Sequence, residues 1–511
     1  MEADSVTPLL LLLPLCAIAW LCLSKRRLTV PPGPTPLPII GNTFHMPRKN
    51  IAESLALLSK TYSDIIYMNV LGRELVILNS AEAVLELFDQ RGAIYSDRPR
   101  TIMAGELVGK KHAVLFHVYD EELKKHRRLL RNALDSRGSR KYWQTHYTES
   151  FKLLNALLLA PEQFAAHFRR SAGSFTLKVA YGYEVKAESG EDRFVTLAEE
   201  LAFVTAKASR PGSWLVDSIP VLRYIPTWFP GSGFKRWAQK ARKITDEFAA
   251  APYMYAKSAA NNGNGTRSFV TDTTELLESE LGRSLNTDED NFLKWTSASI
   301  YSGGTDTAVA ANLSFVLFMA LYPHVQRRAQ TELDEIIGAE RLAQMEDRER
   351  LPYIDALIKE VHRFGTVTPL VPHTTLVDDE YHGYRIPKGS WIMANTWAIM
   401  RDHKLFPQPD RFWPERFLPE GGGCTVDPRD YAFGYGRRRC PGLVVAESSL
   451  FIAVTHILAV FTISDPVNEF GEKITEPVPY TDAHISHPTH FSCSIKPRSQ
   501  SASELITNIS L

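Results

Sequence analysis

The sequence predicts a mainly α protein with small β-sheets, an α+β fold, preceded by one N-terminal transmembrane helix. Three observations predict it. Long stretches carry apolar residues at three- and four-residue spacing, the period of a helix with one buried face. Strand-like runs are few and short. One stretch near the N-terminus is long and apolar enough to cross a bilayer. The chain has 511 residues, 44% hydrophobic and 23% charged, with a formal net charge of zero. That composition is globular and excludes disordered, collagen-like and polytopic classes. Neutrality argues against bulk binding of nucleic acid, since no global positive field gathers phosphates.

The stretch 6–23 is almost wholly apolar, with Glu2 and Asp4 before it and Lys25, Arg26 and Arg27 after it. The positive-inside rule puts the basic flank, and everything beyond it, in the cytosol. A cleaved leader carries its positive charge ahead of the apolar run, so an anchor is the preferred reading. The expected layout is a lumenal N-terminus at 1–5, the anchor at 6–23, a basic and proline-rich hinge at 24–41, one body at 42–498 and a tail at 499–511. The hinge contains Pro31, Pro32, Pro34, Pro36 and Pro38, a density that stiffens the chain into an extended strut. A second apolar stretch, 219–231, reads IPVLRYIPTWFPG. It fits either a loop dipping into lipid headgroups or a buried loop of the core.

Within the body, helical period covers 53–61, 81–91, 121–135, 147–160, 161–181, 193–210, 234–259, 287–321, 323–337, 351–364 and 444–461. Strand-like runs are 65–70, 75–78, 384–386, 391–395 and 491–495, and 261–267 reads as a surface loop. Cysteines stand at 16, 22, 424, 440 and 493 with no CxxC pair. This is no disulfide framework, and it suits a reducing compartment.

The chemistry concentrates at Cys440, inside Phe433-Gly434-Tyr435-Gly436-Arg437-Arg438-Arg439-Cys440-Pro441-Gly442. The glycines allow a tight turn and close approach to a flat partner. The arginines and the helix start that follows are expected to favour the thiolate. No other Cys or His stands at zinc-like spacing. A lone thiolate then suits an iron that brings four nitrogens of its own. The segment resembles the haem-binding signature of the cytochrome P450 family, FxxGxRxCxG, at Phe433, Gly436, Arg438, Cys440 and Gly442. The resemblance implies haem b with Cys440 as axial ligand of the iron, Arg438 on a propionate, and Phe433 beside the sulfur.

Companion motifs agree. Gly303-Gly304-Thr305-Asp306-Thr307 lies midway along the 287–321 helix. Glycines there weaken the helix by about 1 kcal/mol each against alanine. They leave room either for a flat cofactor or for a close helix crossing. The resemblance assigns Asp306 and Thr307 to proton delivery toward dioxygen, and Thr307 is expected to bond back one turn. Glu360-Val361-His362-Arg363 and Pro414-Glu415-Arg416-Phe417 resemble the family's ExxR and PERF pair. That implies a structural network of Glu360, Arg363 and Arg416. His373 reads as a propionate partner or, alternatively, as a satisfied surface histidine. The family's W-R-x-x-R reads Leu123-Lys124-Lys125-His126-Arg127 here, so Lys124 and Arg127 are expected to serve the propionates, Lys124 as a point charge and not as a fork. Lys124, Arg127, Arg128 and Arg131 share a helix face. With Arg437 and Arg439 they form either a docking surface for an acidic flavoprotein or a merely solvated face.

The resemblance covers about 31–498 and implies a haem-dependent monooxygenase acting on a C–H bond of a small lipophilic molecule. Oxygen and NADPH electrons would be used, the latter through a separate NADPH–cytochrome P450 reductase, with cytochrome b5 a further candidate donor. The setting would be the endoplasmic reticulum membrane, single-pass, with a cytosolic body. The run 369–498 is similar to fungal secondary-metabolism members such as O-methylsterigmatocystin oxidoreductase. A terpenoid or polycyclic substrate would suit the pocket positions 101–118, 201–210, 298–301, 366–371 and 483–485, and an indole-type amine stays open. Two other readings stay open at this point. One is a haem-thiolate isomerase or dehydratase that needs no reductase; the other is a non-enzymatic haem-binding sensor.

Overall fold

The computed structural model describes residues 29–185, 192–210, 212–476 and 478–507. The anchor expected at 6–23, with Cys16 and Cys22, lies outside the described residues. The helices that build the site are, in chain order, α1 (Glu121–Leu134), α2 (Trp143–Leu159), α3 (Phe164–Tyr181), α4 (Arg193–Ser209), α5 (Thr287–Leu321), α6 (Pro352–Phe364) and α7 (Leu443–Val460). The strands are β1 (Ile65–Val70), β2 (Arg73–Leu78), β3 (Leu370–Thr374), β4 (Asp379–Tyr381), β5 (Tyr384–Ile386), β6 (Trp391–Asn395), β7 (Phe461–Asn468) and β8 (Phe491–Pro497). The α+β expectation holds for the described residues.

Helix α5 starts where Asn286 caps the amides of Asp288 and Glu289 and Glu289 returns to the Asn286 amide. Its C-terminal half, from Val309 to Ala320, is buried on every side, as its all-round apolar sequence requires. Helix α7 is likewise apolar around most of its circumference. With α2 and α6 these two form the main core. The larger sheet has strand order β1-β2-β6-β3, in which β2 and β6 run parallel and the other pairs antiparallel. Register places His373 opposite Ile392. That sheet therefore carries β3 to the side of the site.

Several boundaries differ from the sequence reading. The 81–91 stretch is α-helical only over Ala81–Val84 and then widens into π-type turns over Leu85–Gln90. A helix at Phe269–Leu281 was missed, although Ser268 and Thr271 cap it reciprocally. Strand β7 begins at Phe461, where helical period had been extended. The proline-rich stretch packs on the body: Tyr67 N–H donates to the Pro32 carbonyl at 2.9 Å and the Asn42 amide to the Pro34 carbonyl at 2.7 Å. Gln500–Thr507 is helical and Ile506 enters the main core. The 219–231 stretch is not a buried loop, since Val221, Tyr224 and Phe229 are exposed and Trp228 is 78% exposed.

Candidate active site around Cys440

The cysteine loop is held by its own backbone. Cys440 N–H donates to the Phe433 carbonyl at 2.8 Å, and Arg438 N–H to the Tyr435 carbonyl at 3.1 Å. Gly436 has φ of +50°, and a Cβ there would meet the Phe88 carbonyl oxygen at 2.1 Å. Only glycine fits. Phe433 packs edge-on against His362 at 5.2 Å. The Gly442 amide points at the Cys440 sulfur. Cys440 is exposed although many protein atoms surround it, so the residue is open to a ligand.

Arg439 and the start of the helix do pull toward the thiolate as expected, but burial outweighs them. Burial pushes the Cys440 thiol up, and the Gly442 amide, Arg127 and Arg439 oppose that only in part. Geometry gives the reason. Arg437 donates to the Tyr119 hydroxyl, and Arg438 turns to the Ser96 carbonyl at 2.7 Å and the His117 carbonyl at 2.8 Å. A cation bound at the sulfur is what would settle the thiolate form.

The segment Tyr95–Arg98 forms a seam between the cysteine loop and β3. His373 Nδ1–H donates to the Tyr95 carbonyl at 2.8 Å, Arg438 takes the Ser96 carbonyl, and Arg98 donates to the Pro372 carbonyl. His373 is fully buried and stacks on Phe88 at 3.9 Å, so it is no surface histidine. Its Nε2 and the Nε of Arg98 find no protein partner. Burial, with Arg438 and Arg127 adding to it, lowers Arg98 to about 9, and burial lowers Arg438 to about 10. Neither forms an ion pair among the described residues. A buried cluster of this kind calls for an anion. Sequence reasoning missed Arg98; nothing in Asp97-Arg98-Pro99 distinguishes it from a surface turn.

On α5 the two glycines have separate uses. A Cβ at Gly304 would lie 2.6 Å from Thr176 Cγ2, so Gly304 permits the crossing with α3. A Cβ at Gly303 would meet nothing within 4 Å, so that face is bare. Thr307 Oγ1–H donates to the Gly303 carbonyl at 2.7 Å, as expected. The Asp306 carboxylate accepts from His487 Nε2–H at 3.0 Å, a partner the sequence reading did not name.

Behind the loop, Arg363 grips Glu360 through two bonds of 2.8 and 2.7 Å, and Arg416 adds two at 3.1 and 3.4 Å. Glu360 and Arg363 are 0% exposed. The expected structural network is present. From α1, Arg127 donates to the Arg439 carbonyl at 2.6 Å and so clamps the cysteine loop. Lys124 does otherwise: its side chain is 50% exposed and pairs with Glu121 at 2.6 Å, on solvent. It is a surface cation here, because the acidic first turn of α1 is nearer than any buried anion site. One grouping was hidden from spacing. Ligand-capable atoms of His117, Glu122 and His126 lie within 4.8 Å of one another. His126 Nδ1 is already bonded to Thr296 Oγ1 at 2.6 Å, and its ring stacks on Phe292, which ties it into the packing.

An open cysteine, a bare helix face at Gly303 and unpaired buried cations at Arg98 and Arg438 fit a haem: a flat macrocycle with an iron for the sulfur and two carboxylates for the cations. The cytochrome P450 family profile matches residues 31–480, and the chain belongs to that family. It is a monooxygenase with a haem-thiolate iron as its cofactor. Among its relatives, the cytochrome P450 monooxygenase claR of Ampulloclitocybe clavipes is 38% identical over 484 residues, 94% of this chain and 89% of that protein. Cytochrome P450 monooxygenase 208 of Postia placenta is 38% identical over 486 residues, 94% and 93% of the two chains. The tryptamine 4-monooxygenase of Psilocybe cyanescens is 34% identical over 493 residues, 95% and 96% of the two chains.

Proposed function

We propose that this monooxygenase hydroxylates or oxidises a C–H bond of a small lipophilic natural product in fungal secondary metabolism, with electrons from NADPH through a separate reductase. The open Cys440 beside the seam that holds the Arg98 and Arg438 cations carries this reading. Bound there, the haem supplies the oxygen-activating chemistry that the side chains lack. The chain's own residues do the rest. Arg98 and Arg438 would hold the propionates; His373, held well below the usual imidazole range by burial and by Arg98, stays neutral and positions the seam through its Nδ1–H bond to the Tyr95 carbonyl. Thr307 and Asp306 pass protons toward the oxygen side, and substrate enters between the 101–118 segment, α4 and the 481–487 turn. Relatives named for small-molecule oxidations, such as tryptamine 4-monooxygenase, support a small substrate without identifying it.

Lys125, Arg128, Arg131, Arg437 and Arg439 are exposed near the cysteine loop, which supports docking of an acidic reductase there, with cytochrome b5 as a further donor. An endoplasmic-reticulum site, with the anchor at 6–23 and a cytosolic body, is supported by an apolar surface. Ile39 is 97% exposed, and Phe44, Tyr224 and Trp228 are also exposed. The β1–β2 turn links the two patches, because Gly41 pairs with Val70 and Arg73 donates to the Asp217 carbonyl. One side of the molecule thus offers both to lipid.

Mass spectrometry of a host co-expressing the chain with a reductase tests this reading, with Thr307→Ala as the control. Wild type is expected to yield an oxygenated product, while Thr307→Ala keeps its haem and consumes NADPH with little product. Unchanged coupling in that variant would remove Thr307 from the mechanism.

A further inference from the structure

A buried ammonium without an ion partner stands among the expected pocket positions. Lys110 is 6% exposed, at the end of a segment whose neighbours Ile102, Met103, Ala104 and Val108 form an apolar cluster with Val204 and Ala208 of α4. Its Nζ donates to Thr205 Oγ1, and that hydroxyl donates onward to the Leu201 carbonyl. The Phe116 ring lies 5.4 Å from Nζ. No carboxylate lies within ion-pair distance of Lys110 among the described residues. Asp306 is the acid that acts on it through space, and that carboxylate is engaged by His487.

The neighbours show which space the ammonium borders. Lys110 and Asp306 both act on His484, and Arg98 of the propionate seam acts on it as well. Lys110 reaches Thr205 of α4, Val114 N–H donates to Ser299 Oγ of α5 at 3.2 Å, and His487 meets Asp306 of α5, so the 101–118 segment and the 481–487 turn both join α5. An ammonium has three N–H donors, and Thr205 accepts one. Burial lowers Lys110 to about 7, the mark of a cation lacking its counter-charge. A chain that keeps a lysine in such a place stabilises it best when an anion arrives.

We propose that Lys110 is the anchor for a carboxylate on the lipophilic substrate, a proposal that rests on the substrate site described above. The carboxylate would replace water at the free Nζ donors, with the hydrocarbon body against the apolar cluster and the bond to be oxidised turned toward Gly303. A substrate that carries a cationic amine at this end is disfavoured by like charge.

The test is a spectral binding titration of purified haem-loaded protein with dodecanoic acid, indole-3-acetic acid and dehydroabietic acid, each against its methyl ester. Displacement of the iron's water by a bound molecule changes the haem absorbance without any turnover. At least one acid is expected to bind roughly tenfold or more tighter than its ester, the worth of a hydrogen bond to a charged group. Lys110→Met is expected to abolish that preference and Lys110→Arg to retain much of it. Equal binding of acids and esters, no binding by any acid, or a preference that survives Lys110→Met would overturn the proposal. The reduced carbon-monoxide spectrum of each variant separates the two levels. Wild type that shows the thiolate-type band but no acid preference defeats the Lys110 proposal alone, whereas loss of that band in wild type defeats the site reading beneath it.

Discussion

His487 Nε2–H meets a carboxylate oxygen of Asp306 at 3.0 Å, tying the turn before β8 to the residue that precedes Thr307. The pair borders a cavity of about 480 Å³ that Glu162, Arg169, Glu199 and His490 also line. Its lining is more apolar than polar, but the charged groups around Asp306 give water partners there, and water brings protons to the carboxylate. We predict that His487→Phe leaves haem incorporation intact and lowers product formed per NADPH. Asp306→Asn is expected to slow oxygenation roughly 10²-fold, the lower end for general acid–base catalysis. Stoichiometry of NADPH, peroxide and product decides the matter; unchanged coupling in both variants would reduce the pair to a structural tie.

Arg98 contributes a buried charge whose Nε has no protein partner. Replacing it with methionine keeps the length of the side chain and removes the charge. We predict faster loss of haem to an acceptor apoprotein, by about tenfold, from the loss of one charge-assisted hydrogen bond. Haem transfer at wild-type rate would show that Arg98 serves only the seam with Pro372.

Glu360→Gln breaks a network that is sealed from solvent. It leaves Arg363 and Arg416 without their counter-charge, at a cost of about 3–5 kcal/mol. A lowered unfolding midpoint and poor recovery of haem protein are expected. Arg363→Lys should fare little better, since lysine lacks the two-pronged geometry. Normal stability in either variant would contradict the structural role.

His146 supplies a pH dependence. It stacks on Phe175 at 4.1 Å, its Nε2 has no partner, and burial lowers its pKa to about 3. The folded chain keeps the ring neutral, while the unfolded chain takes up a proton below about 6.5. Stability is therefore full above that pH and falls as pH drops toward 3, by up to about 1.4 kcal/mol per unit from this group. His146→Phe keeps the stack and removes the proton site. Acid unfolding of that variant is expected at lower pH than wild type; an unshifted acid limb would contradict the burial argument.

Much of this architecture was legible in the chain because its signals are local. The 287–321 helix, with Asn286 as cap, and the strands at 65–70, 384–386 and 391–395 have the bounds that period alone suggested. The loop around Cys440 was legible because glycine, arginine and cysteine at fixed spacing have few other uses. What failed was long-range. Arg98 and His487 gain their meaning from partners hundreds of residues away, and no local pattern marks them. Lys124 misled because a motif position was taken for a direction, when Glu121 one turn earlier captures the side chain. Arg438 near Cys440 misled likewise, since adjacency in sequence let it point away from the sulfur.

The central claim is a bond between the Cys440 sulfur and the haem iron. A carbon-monoxide difference spectrum of the reduced full-length protein tests it most directly. Wild type is expected to show the thiolate-type band, and Cys440→His to bind haem, if at all, with an imidazole-type band. Haem-loaded wild type without sulfur-to-iron coordination in either redox state, or a thiolate-type band that persists in Cys440→His, would contradict the account.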